Sequence, residues 1–168
     1  NCCYLIGDEY IEGPDHRIHN LSEMPNVYLM GLMDKFFGLG LTPLYEFTRG
    51  CPYACTFCNS GHDFKNLITR KSIETIRQEL EYIAKRVVKD AANTFLYRGL
   101  ILSDDNFGMY KEDVEIAKVL RDIIKKYNWP LTIDCARGKS QPERIVEVSR
   151  IINQQNDGTL RLAASFQS

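Results

Sequence analysis

Thr42-Pro43-Leu44-Tyr45-Glu46-Phe47-Thr48-Arg49-Gly50-Cys51-Pro52-Tyr53-Ala54-Cys55-Thr56-Phe57-Cys58 passes from a β-prone run straight into a polar loop holding three cysteines. Thr42 to Thr48 reads as a strand that ends at Arg49-Gly50. Downstream, Ile73, Ile76, Leu80, Ile83 and Val87 recur at helical spacing within Ser72–Lys89, with Ser72 as N-cap. Leu100-Ile101-Leu102 is a short apolar run ending in polar Ser103-Asp104-Asp105-Asn106, as a buried parallel strand should end. A second helix spans about Lys111 to Tyr127, with Val114, Ala117, Leu120, Ile124 and Tyr127 on one face, and Asn128-Trp129-Pro130 breaks it. Leu131 to Ala136 is a third strand, closed by Arg137-Gly138-Lys139. Pro142 opens a third helix whose face includes Ile145, Val146, Val148, Ile151 and Ile152. Asn156-Asp157-Gly158 is a turn, and Thr159 to Phe166 a fourth strand. The order β-α-β-α-β-α-β predicts an α/β fold with a parallel sheet and helices on at least one face. Chemistry in such folds gathers at the C-terminal strand ends, and here each end is polar.

The spacing C-x-x-x-C-x-x-C lets three thiolates wrap one face of a cubane iron–sulfur cluster. With three protein ligands, one of four irons stays open, as a catalytic zinc site keeps a position for its reactant. A structural zinc module would need a fourth ligand, and His62 is the available one, so a zinc site on Cys51, Cys55, Cys58 and His62 stays open as a second reading. Cys135 lies in an apolar stretch and reads as a small core residue.

Composition narrows the class. Apolar residues make up 44% and charged residues 26%, a globular balance that excludes a disordered chain. A net charge of −1 gives no electrostatic footprint for nucleic acid or an anionic membrane. No apolar run has the length of a membrane span, and the tight trio of cysteines at 51–58 reads as metal ligands in a reducing cytoplasm. Residues 1–41 show no clean period: the first half reads as loop, the second as a short helix. The start at Asn1 and the stop at Ser168 in an apolar run suggest a fragment.

Cys51 to Cys58, with an aromatic residue just before the last cysteine, resembles the signature of radical S-adenosylmethionine (SAM) enzymes. The resemblance covers residues 42–168, as the first four strands of that family's partial (β/α)6 TIM-like barrel. It implies a 4Fe–4S cluster on Cys51, Cys55 and Cys58 that cleaves SAM to a 5′-deoxyadenosyl radical. It places Phe57 near the adenine. At the second strand end, where the family often has Gly-Gly-Glu, this chain has Ser103-Asp104-Asp105-Asn106; Asp104 or Asp105 could accept from the methionine ammonium, and Asn106 belongs to the same stretch. The alternative there is carboxylates that solvate a loop or cap the helix near Lys111. Lys139 would neutralise the methionine carboxylate or stand solvated, and Ser165 and Gln167 occupy ribose- or carboxylate-contacting positions. An electron donor of flavodoxin or ferredoxin type is expected.

A narrower likeness rests on Asn20 to Leu29, Leu41 to Glu46, Ser103 to Met109, Lys139 followed by Glu143 to Glu147, and Ala164 to Ser168. These resemble cobalamin-type members of the family, which are often methyltransferases, and make residues 1–41 a linker from an upstream cobalamin-binding domain. Asp15-His16 lacks the glycine of a D-x-H-x-x-G cobalamin loop, so that loop would lie upstream, and His16 and His19 read as loop histidines. A methylthiotransferase is the alternative within the family; it would require an RNA-binding module and a second cluster that this sequence does not show. The substrate, small molecule or peptide, is not legible.

Overall fold

The computed structural model describes residues 3–14, 17–90, 98–154 and 159–163. Its centre is a four-stranded parallel sheet in the order β3 (Leu44–Tyr45), β6 (Gly99–Leu102), β7 (Thr132–Ala136), β8 (Leu160–Ala163). Helices α2 (Ile73–Asp90), α3 (Asp113–Tyr127) and α4 (Pro142–Ile152) alternate with these strands. This is the expected α/β architecture, the first four strands of a partial barrel.

Among the described residues, one face of the sheet is covered by helices. Leu100, Ile133 and Leu160 are buried in one cluster with Ile76, Leu80, Ile83 and Val87 of α2, Ile116, Leu120 and Ile123 of α3, and Val148 and Ile152 of α4. Each such side chain contributes about 1.5–3 kcal/mol on burial. Alternate residues point the other way: Leu44, Ile101, Asp134 and Arg161 align across the sheet and are exposed. The helical stripes hold, except that Ile73 and Val146 at their margins are exposed. Ser72 caps α2, its Oγ accepting from Thr75 N at 3.1 Å.

Two expectations need correction. The strand Thr42–Thr48 is shorter, because the chain bends after Tyr45. Thr48–Arg49 (β4) leaves the parallel sheet and pairs antiparallel with Thr69–Arg70 (β5), closing the base of the cysteine loop. The first half of residues 1–41 is not all loop: Cys3–Ile6 (β1) and Glu9–Glu12 (β2) form an antiparallel hairpin. The second half does hold a short helix, Asp34–Phe37 (α1), whose Asp34 accepts from Tyr82 Oη and pairs with Arg86 of α2. The turn at Asn156 to Gly158 and the end of the fourth strand lie outside the described residues.

A polar anchor seats the first strand. Glu79 of α2 is 1% exposed and receives Tyr45 Oη and, at 3.0 Å, Lys71 Nζ. Tyr28 Oη donates to Leu44 O at 2.7 Å. The strand that delivers the cysteines is thus held from both sides.

Candidate functional site

The C-terminal ends of β3, β6 and β7 meet around the cysteine loop. Three consecutive residues after β6 tether it at three points. Both Asp104 carboxylate oxygens accept backbone N–H groups just upstream of the cysteines, from Phe47 at 2.9 Å and Thr48 at 2.8 Å. Asp105 Oδ1 accepts from Ser60 Oγ, just downstream, at 3.1 Å. Asn106 Nδ2 donates to Cys51 Sγ at 3.2 Å. From the β7 end, Ser140 Oγ meets Tyr53 Oη at 2.8 Å, and Tyr53 Oη also reaches Met109 Sδ.

The loop is closed by its own backbone. Cys51 N donates to Lys65 O at 2.8 Å, Cys58 N to Cys55 O at 3.1 Å and Gly61 N to Cys58 O at 2.9 Å. Glycine is needed twice. Gly50 has φ +105, and a Cβ there would lie 2.2 Å from Leu67 O; a Cβ on Gly61 would lie 2.3 Å from Cys55 O. From the N-terminal segment, Arg17 donates to Asp63 O, Phe64 O and Asn66 Oδ1, clamping the return of the loop.

Burial, not charge, dominates the titrations here. Asp104 is pushed up to about 7 by desolvation, against the pull of its two backbone donors. Asp113, fully buried at the start of α3, rises to about 6 for the same reason; its Oδ2 accepts from Tyr110 N at 2.9 Å. Burial pushes the Cys135 thiol up to about 12, which suits a core residue and not a ligand thiolate.

The other sequence-predicted residues fall as follows. Cys51 is buried, while Cys55 and Cys58 are half-buried, and all five described cysteines are unbridged. Phe57 is 71% exposed on the loop. Lys139 is exposed, its Nζ 5.8 Å from the Tyr53 ring centroid. Ser165 and Gln167 lie outside the described residues. His62 is exposed and stacks on Phe64, with 11° between the rings. Among the described residues, no group of three or more His, Cys, Asp or Glu side chains converges closely enough to hold a single metal ion.

The Radical SAM superfamily profile matches residues 45–153, from β3 to the end of α4. The chain belongs to the radical SAM superfamily. Within it, the chain is 30% identical over 151 residues to the cobalamin-dependent radical SAM methyltransferase TokK of Streptomyces tokunonensis. It is 31% identical over 151 residues to the 2-(S-pantetheinyl)-carbapenam-3-carboxylate methyltransferase of Streptantibioticus cattleyicolor. Each match covers 86% of this chain but 21% of the relative, so the chain spans about a fifth of their length. A structure of the cobalamin-dependent SAM radical enzyme OxsB superposes with a TM-score of 0.59 at 17% identity, covering 95% of this chain and 23% of that one. That likeness confirms the fold.

The radical SAM reading makes a chemical demand on the loop, and its residues fit a 4Fe–4S cluster. Three unbridged thiols stand on a loop held from three sides. Cys51, the buried member of the three, accepts a hydrogen bond from Asn106 Nδ2. Sequence reading identified Asp104, Asp105 and Asn106 but missed that all three bind the cysteine loop. It missed Arg17, Ser60, Gly61 and Ser140 altogether. Their partners lie 45 to 87 residues away, or, for Gly61, in backbone packing, and no local pattern marks either.

Proposed function

We propose that this chain is the SAM-cleaving core of a cobalamin-dependent radical SAM methyltransferase, with a 4Fe–4S cluster on Cys51, Cys55 and Cys58. The observation that carries the proposal is the three-cysteine loop at the end of the first parallel strand, tethered by Asp104, Asp105 and Asn106. When bound, the cluster supplies one electron that splits SAM into methionine and a 5′-deoxyadenosyl radical. The chain's own residues hold and orient. Asp104 fixes the approach to Cys51, Asp105 the exit after Cys58, and Asn106 the Cys51 sulfur. Exposed Phe57 offers a flat apolar face to an adenine, and exposed Lys139 a cation to a carboxylate. Ser165 and Gln167 complete the set by their position in the sequence.

Methyl transfer through cobalamin is supported by the relatives, one named for that chemistry and one named a methyltransferase. In this reading residues 1–41 join a cobalamin-binding domain to the core at 42–168. A flavodoxin- or ferredoxin-type protein in the cytoplasm delivers the electron. Among the described residues no helix is long and apolar enough to cross a membrane.

Anaerobic reconstitution with iron and sulfide tests the proposal. A brown protein that forms 5′-deoxyadenosine from SAM under reducing conditions supports it. A colourless protein that holds one zinc through His62 overturns it.

A further inference from the structure

Asn106 is 2% exposed, so its side chain must account for two donors and an acceptor without water. Its Nδ2 lies 3.2 Å from Cys51 Sγ. Its Oδ1 is buried and has no hydrogen-bond partner among the described residues. The amide therefore has one partner, a sulfur, and presents its N–H side to it. A cysteine sulfur that ligates iron carries no proton and can only accept, and the amide presents a donor to it.

The seat of this amide is rigid. Phe107 N donates to Ala136 O at 3.1 Å, Gly138 N to Phe107 O at 2.9 Å and Met109 N to Asn106 O at 3.2 Å. Gly138 is packed so closely that a Cβ there would lie 2.4 Å from Met109 Cβ and 3.2 Å from Asn106 O. The backbone of Asn106 is thus locked between two strand ends. Cys51 is also the single buried member of the trio, so its sulfur is the one that depends most on a protein donor.

We propose that Asn106 is a positioning residue that holds the Cys51 thiolate through an N–H···S hydrogen bond and raises the reduction potential of the cluster. The inference rests on the cluster reading above. An N–H donor stabilises the ligand sulfur more in the electron-rich reduced state than in the oxidised state, which favours reduction. Losing it weakens the reduction equilibrium roughly tenfold, about 59 mV for a one-electron couple.

The test compares wild type, Asn106→Leu and Asn106→Asp after anaerobic reconstitution, reading iron and sulfide content and the midpoint potential. The expected result is full iron in all three, with potentials falling from wild type to Leu to Asp. Leu lacks the donor, and Asp sets a carboxylate against the sulfur. Equal potentials with full clusters overturn the role of Asn106 and leave the cluster reading intact. A wild type that takes up no cluster overturns the reading beneath it. If neither variant takes up iron, 15N-asparagine labelling of the reduced wild-type cluster decides. A side-chain amide nitrogen coupled to the cluster spin sustains the proposal, and no such coupling overturns it.

Discussion

Gly61 faces the backbone of Cys55, and replacing it with alanine tests whether loop geometry controls cluster binding. An added Cβ would meet Cys55 O at 2.3 Å and Cys55 N at 2.9 Å. Ordinary contact needs about 3.5 Å, so the backbones must separate by about 1 Å. The obstructed carbonyl is the one that accepts from Cys58 N at 3.1 Å, so the shift opens the turn that sets Cys55 against Cys58. Functional sites tolerate about 0.5 Å of displacement, about half of what alanine imposes. The lost hydrogen bond costs about 0.5–1.5 kcal/mol, and the loop lies outside the core, so the fold survives. Gly38→Ala is the control, since a Cβ there meets nothing within 4 Å. The assay is iron and sulfide per chain after anaerobic reconstitution, beside far-ultraviolet circular dichroism. Gly61→Ala should lose most of its iron with an unchanged dichroism spectrum, while Gly38→Ala keeps both. Full iron in Gly61→Ala would refute the reasoning.

Asp104→Ala strands the buried N–H groups of Phe47 and Thr48. At about 1–3 kcal/mol each, the loss is about 2–6 kcal/mol in denaturant unfolding, and a change below about 1 kcal/mol would contradict the tether. Stability should also respond to pH through Asp104 and Asp113. Their folded values, about 7 and about 6, stand above the ordinary carboxylate value of 3.8, so the folded chain holds more protons in that window. The contribution of these groups to stability therefore falls as pH rises from about 4 to about 7 and levels off above. Urea midpoints across that range check the sign, and a rise traced to these two residues by their Asn variants would contradict it. Cys135→Ala should keep the full iron complement, because that thiol is buried and pushed up to about 12; loss of iron with the fold intact would count against the assignment of ligands.

The legible part of this molecule is the part that repeats locally. Helices α2, α3 and α4 announced themselves because Ile76, Leu80, Ile83 and their counterparts recur every three or four residues. Strands β6 and β7 were visible as short apolar runs ending in polar loops. The hairpin β1–β2 was not, because most of its residues are exposed on both faces and no alternation marks a buried side. The bend after Tyr45 was equally hidden. Phe47 and Thr48 look like a continuing strand, and what holds them aside is distant in sequence: a carboxylate 57 and 56 residues away and the pairing with Thr69–Arg70. At the site, the cysteines were legible from spacing alone. The roles of Asp104, Asp105 and Asn106 as tethers were not, since the same residues suit a solvated loop or a ligand contact until the fold brings them to the cysteines.

In the proposed function, Cys51, Cys55 and Cys58 leave one iron of a 4Fe–4S cluster open for SAM. Electron paramagnetic resonance of the dithionite-reduced, reconstituted chain, with and without SAM, tests this most directly. The expected result is a reduced-cluster signal whose g-values shift when SAM is added, and which is lost when any of the three cysteines is changed to alanine. A signal indifferent to SAM, or one that survives Cys51→Ala, would contradict it.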